Sequence, residues 1–296
     1  MLGGCAFKDP LPEGRVYPSM SMNVPFIAPR ADLCGSTSIQ MISLYWQSIG
    51  EYTPKLSIQE LDHRTLIPLK GGTLQAELMS TARANGLIAY PLEPNFDALF
   101  SELAAHHPVI LLINRSYSWY PLWHYIPVNG YDETNRKLLT HFSDQPNEPL
   151  AVETFAKMWK RSDNWGVVLL PPGVIPASAS SKKFLRSVYE LEKIGMVEEA
   201  IQSYQSALIR WPEDSDIHFI LANSYYRLDR LSEAEESYRR FLLSNPSHPL
   251  ALNNLAILLS KTGREKEGLM LLDTAVSKDP EIQKMLLNTR EELLKK

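Results

Sequence analysis

The chain is predicted to hold two folds in series, an α+β domain and then an all-α array of helical hairpins. Three observations predict this. Up to about residue 172, short strand-like apolar runs such as residues 109–113 alternate with segments of helical spacing. From Pro171 to Ser181 the chain is dense in Pro, Ala and Ser and carries no charge, as a linker does. Beyond it Pro212, Pro246 and Pro280 recur at a spacing of 34 residues. The 296 residues suffice for two cores. A net charge of -4 argues against nucleic acid as a partner, because phosphate binding needs a clustered basic face. No run of eighteen apolar residues is present, so no segment reads as a membrane span.

The opening Met1-Leu2-Gly3-Gly4-Cys5-Ala6 resembles a bacterial lipobox, in which a thioether joins diacylglycerol to the cysteine. The resemblance implies lipidation at Cys5, with the basic and apolar parts of the signal missing. The implied location is the bacterial envelope, exported and facing the periplasm, with membrane contact only through that lipid. Residues 1–23 read as lipobox remnant and Pro-rich tether.

In residues 24–172 the extended Val24-Pro25-Phe26-Ile27 leads to the small, polar turn Asp32-Leu33-Cys34-Gly35-Ser36. After it Ile39, Ile42, Tyr45, Trp46 and Ile49 recur at helical spacing, and Gly50 stops the helix. Cys34 is thus placed at the first turn of a buried helix, where free amides and the helix dipole favour thiolate. Gly35 would let a substrate backbone come close. A thiol nucleophile needs a base from elsewhere in the chain. His124 is the candidate, at the start of a strand that turns at Gly130, and a further strand from Lys137 to Phe142 leads into Ser143-Asp144. Trp119, Tyr120 and Trp123 stand just before His124, as cleft walls or as packing. His106-His107 before Pro108 reads as a helix end. No histidines or cysteines have the spacing of a metal site, and no cofactor motif is present.

Cys-Gly at a helix start, followed about ninety residues later by His124-Tyr125 and Gly130-Tyr131-Asp132, resembles the bacteriocin-processing (double-glycine) peptidase branch of papain-like cysteine peptidases. It is also similar to bacterial lipoproteins that join such a domain to tetratricopeptide repeats. Residues 68–75, Phe155-Ala156-Lys157-Met158-Trp159 and the run from Trp165 to Pro172 extend the likeness. The resemblance implies Cys34 as nucleophile, His124 as base and acid, and Asp144 as orienter of the imidazole, with Ser143 as a substitute. The chain departs from the family in three places. Ser36 stands where the family has Pro. Ala28 and Pro29 stand where it has the oxyanion glutamine, which leaves Arg30 as the candidate donor. Phe142-Ser143-Asp144-Gln145 stands in place of Asn-Asp-Pro. Losing one oxyanion donor costs about 3 kcal/mol.

After the linker at residues 173–180, residues 181–296 read as three repeats plus a cap helix. The columns Ala200, Ala234, Gly268 and Gly195, Asp229, Gly263 keep the 34-residue period, as do Tyr204, Tyr238, Leu272 and Ala207, Phe241, Ala275. This is the tetratricopeptide pattern, in which a small residue lets two helices pack closely and a turn residue reverses the chain. Asn223, Asn253, Asn254 and Arg227 are candidates to line a groove for a protein partner. Two functions compete. One is a thiol peptidase or amidase acting on a peptide or protein, docked by the repeats. The other is an inactive peptidase fold serving as a binding scaffold, with acyl transfer by the same thiolate as a third possibility.

Overall fold

The structure is a computed structural model, which describes residues 9–28, 30, 32–67 and 71–295. Cys5 and the Pro68-Leu69-Lys70 part of the family-like stretch lie outside the described residues. Contacts divide the chain into two units, Met1–Met196 and Val197–Lys296.

The first unit is built on an antiparallel sheet of order β2-β7-β3-β4-β5-β6, with β1 (Met20–Ser21) paired to β4. Its central strands are β3 (Val109–Asn114), β4 (Trp123–Asp132) and β7 (Gly166–Leu170). Strands β3 and β7 are buried throughout, as a continuous apolar run requires of a central strand. The outer strands are β2 (Ile88–Pro91), β5 (Lys137–Thr140) and β6 (Glu148–Ala151). Helix α1 (Cys34–Ser48) packs on β4 and β7, where the Trp46 indole donates to the Leu169 carbonyl at 2.8 Å. Ile39, Ile42, Tyr45 and Trp46 are buried at the expected helical spacing. Ile49 instead caps the helix with half its surface exposed, and Gly50 follows at φ +81°. Helices α2 (Ile58–Thr65) and α3 (Gln75–Ala84) flank α1. Helices α4 (Phe96–Ala104) and α5 (Val152–Lys160) pack on β3 through a cluster of Phe96, Phe100, Phe155 and Trp159.

Gly130 does not end β4. The strand runs on to Asp132 with a register shift against β5 at this point, and β1 pairs antiparallel with it at Gly130 and Tyr131. A Cβ there would lie 2.5 Å from the Met20 carbonyl oxygen, so the close approach of β1, not a turn, requires glycine. Strand β5 stops at Thr140 because His141 turns inward, its Nε2 meeting the Val24 carbonyl at 2.9 Å. The linker is also less free than its composition suggests. The buried Glu102 carboxylate accepts from the Ala177 and Ser178 amides at 3.1 and 2.8 Å, and it pairs with His107 Nδ1 at 2.7 Å. Helix α6 (Ser181–Glu192), which the repeat pattern assigns to the first hairpin, packs on β2 and α3 in the first unit.

The second unit is helical: α7 (Val197–Arg210), α8 (Asp216–Arg227), α9 (Leu231–Ser244), α10 (Pro249–Lys261), α11 (Glu265–Thr274) and α12 (Pro280–Leu294). Ala200, Ala234, Tyr204 and Tyr238 are buried, as their columns require. A Cβ on Gly268 would meet the Ala256 carbonyl oxygen at 2.9 Å, which shows the close helix approach that the small-residue column provides. Gly195, Asp229 and Gly263 all take left-handed backbone, at φ +93°, +59° and +76°. Helix α12 begins with Pro280, and Asp279 caps it by accepting the Glu281 and Ile282 amides. Among the described residues no helix is long and apolar enough to cross a membrane.

Candidate active site

Cys34 is the first residue of α1, and His124 is the second residue of β4, paired with Ile113 of β3. The sheet brings β4 across the start of α1, with the Tyr125 amide near enough to the Cys34 sulfur to favour its anion. Cys34 and His124 line one hollow of about 650 Å³. Arg30, Asp32 and Gly71–Leu74 form part of its wall, and Pro121–Tyr125 form the rest. A narrower cleft behind it again holds Cys34 and His124, now with Thr37, Ser38 and Ser143. Cys34 as a residue is half-buried and lines the wall of the larger hollow.

The electrostatics reverse the expectation of a resting thiolate. The Gly35 and Tyr125 amides at the sulfur favour the anion, but burial outweighs them and pushes the Cys34 thiol above its ordinary range, helped by the Asp32 carboxylate. His124 is depressed to about 4, first by burial and then by the Arg115 guanidinium, against a hydrogen bond to the Phe142 carbonyl. Both shifts favour the neutral thiol and imidazole over the ion pair.

The imidazole is thus held by the Phe142 carbonyl, a neutral acceptor. Asp144 is exposed and lines neither hollow, whereas Ser143 lines the narrower one. Arg30 lines both hollows. Two of its nitrogens clamp Asp62 at 2.6 and 2.9 Å, and one also donates to Thr37 Oγ1 at 3.2 Å. Its Nε is buried with no hydrogen-bond partner among the described residues, as are Thr73 Oγ1 and Ser38 Oγ.

Thr73 escaped the sequence reading, apart from its place in the stretch that resembles the family. It also explains Gly35. A Cβ at position 35 would lie 2.5 Å from Thr73 Oγ1, so the threonine, rather than a substrate backbone, occupies the space over the glycine. Among the described residues no group of three or more His, Cys, Asp and Glu gathers as metal ligands. In the second unit Asn223 Oδ1 accepts from Tyr238 at 2.6 Å and from Asn254 at 3.0 Å. Asn253 is buried, so it does not contribute to an open surface.

Comparison with known proteins bears chiefly on the second half. Residues 186–241 and 221–281 match the tetratricopeptide repeat family model. Over 100 residues the chain is 32% identical to human protein O-mannosyl-transferase TMTC2, a match to 31% of this chain and 12% of that protein. The chain therefore spans only a small part of that relative's length. Among solved structures, a putative C39-like peptidase from Bacillus anthracis is similar at 16% identity, with a TM-score of 0.42 over 52% of this chain and 98% of that one. The Yersinia enterocolitica type III secretion translocator chaperone SycD is similar at 17% identity, with a TM-score of 0.36 over 39% and 89%. MamA is similar at 14% identity, with a TM-score of 0.32 over 39% and 77%. The chain thus carries tetratricopeptide repeats, a module that binds proteins, behind a domain with an antiparallel sheet.

Proposed function

We propose that the first unit is a thiol peptidase or amidase with Cys34 as nucleophile and His124 as base and acid, and that the repeats dock its peptide or protein substrate. The single observation that carries this reading is that Cys34 and His124 line the same two hollows at the start of α1 and the start of β4. In the reaction the Cys34 proton passes to His124 as sulfur attacks the substrate carbonyl carbon. The amine leaves with that proton, and a water deprotonated by His124 then splits the thioester to a carboxylic acid. The shifts favour the neutral pair, which suits a proton transfer that accompanies attack. Arg30, which lines both hollows, is the candidate donor for the carbonyl oxygen. The lipobox-like residues around Cys5 support an envelope location facing the periplasm.

A scaffold without catalysis is the second reading. The neutral acceptor on His124 and the nearby Arg115 cation favour it, since both leave an imidazolium poorly stabilised. A fluorogenic peptide library separates the two. Hydrolysis by the full chain should fall by about a thousandfold or more in Cys34→Ala and in His124→Ala. Peptides that bind but are never cut, or cleavage that persists in Cys34→Ala, would sink the enzymatic reading.

A further inference from the structure

The hairpin that joins β3 to β4 carries a cluster of aromatic rings that catalysis does not use. Tyr117, Trp119 and Tyr120 are 66%, 81% and 68% exposed, and Leu122 and Trp123 continue the patch at 53% and 49%. Isolated exposed apolar side chains are ordinary, but a contiguous run of this kind marks a contact surface.

The loop is also rigid. Buried Asn114 accepts the Ser116 and Leu122 amides at 2.9 and 3.0 Å and donates to the Tyr117 carbonyl at 3.3 Å. The Arg115 amide donates to Leu122, the Tyr120 amide donates to Tyr117, and the Tyr117 and Trp119 rings stack at 5.7 Å. The rings are therefore held outward before any partner arrives, with little ordering cost left for binding.

We propose that this hairpin docks the protein on a lipid bilayer surface, with the three tip rings inserted at the headgroup level. Three features favour a bilayer over a bound peptide. Tyr117, Trp119 and Tyr120 do not line the hollow, whereas a peptide subsite is a groove. Its rings are Tyr and Trp, whose polar edges suit the membrane–water boundary. The charge at its root is cationic. Arg115 is exposed there, Arg161 reaches the Asn114 carbonyl at 3.2 Å, and no carboxylate occurs from residue 114 to residue 131. Pro121, Leu122 and Trp123 connect the tip to the hollow that holds Cys34, and Leu74 forms part of the facing wall. Docking would set the mouth of that hollow against the lipid surface.

The test is co-sedimentation of the full, unacylated chain with sucrose-loaded vesicles of phosphatidylcholine, alone and with phosphatidylglycerol added. The variant Tyr117→Ser/Trp119→Ser/Tyr120→Ser should lose at least about tenfold in partitioning at about 1 mM lipid. Ile209→Ser, at an exposed apolar site in the second unit, should change nothing. Arg115→Ala should remove only the extra binding that phosphatidylglycerol brings. Far-ultraviolet circular dichroism checks that the triple variant, altered only at exposed positions, is folded. Wild-type chain left in the supernatant, or a folded triple variant that sediments like wild type, overturns the proposal. So does a triple variant that loses only an apolar peptide. None of these outcomes depends on whether Cys34 is catalytic.

Discussion

The two units solve the same packing problem over different distances along the chain. In the repeat unit each helix packs on its near neighbours in sequence, and Gly268 faces Ala256. In the first unit the Cys34 thiol meets the Tyr125 amide, and Gly130 lies under Met20. Periodic local packing leaves a repeated mark in the sequence, whereas a site closed by distant strands leaves only residue types. The difference also separates what can be tested in each unit, since a lesion in one should leave the other's signature in place.

The largest effect on stability is expected at Gly130. A Val there drives its Cβ into the Met20 carbonyl, and the obstructing atom is backbone. The first unit should lose about 3 kcal/mol or more, and Cys34 alkylation should become unrestrained as β4 shifts. Gly268→Leu is the counterpart in the repeat unit. It meets the Ala256 carbonyl and the Leu293 side-chain tip, which can move, so about 2 kcal/mol is expected. Urea unfolding followed by both helical circular dichroism and thiol trapping distinguishes them. Loss of Cys34 protection in Gly268→Leu would break the comparison.

The next effect concerns pH. His124 is depressed from its ordinary 6.5 to about 4 in the native hollow, so below pH 6.5 the unfolded chain binds a proton that the native site refuses. Stability is complete above pH 6.5 and is lost as pH falls from 6.5 toward 4. The loss is about 2 kcal/mol once partial solvent access is allowed for. His124→Gln has nothing to titrate and should lose that much less between pH 7 and pH 4.5 in chemical denaturation. Equal acid losses in the two proteins would show that the imidazole is not desolvated in solution.

Much of this was legible in the sequence, for reasons that differ by residue. The turn column was readable because Gly195, Asp229 and Gly263 face one steric demand three times, and all three have positive φ. The place of Cys34 at a helix start was readable because small polar residues precede a helix-spaced apolar run. The charge state of Cys34 was not, because the helix start argues for thiolate while burial, which depends on the whole fold, decides against it. The partner of His124 was hidden for a related reason. A backbone carbonyl such as that of Phe142 has no residue type to announce it. Thr73 shows the same gap, since nothing local says that it will sit on Gly35.

The smallest effect tests the turn column itself. Asp229 holds a conformation that its two column partners meet with glycine, and a non-glycine residue there costs about 1 kcal/mol. Its ion pair with Lys261, at 2.5 Å, is exposed and screened by solvent, so it offsets little of that cost. Asp229→Gly should therefore stabilise the repeat unit by about 0.5 kcal/mol, and Asp229→Asn isolates the lost ion pair. Gly195→Ala, at φ +93°, should destabilise by about 1 kcal/mol. Opposite signs at two positions of one column are what a shared backbone demand produces. If Asp229→Gly destabilises more than Asp229→Asn, residue 229 is held by its side chain instead, and the column is a coincidence of turn-forming residues.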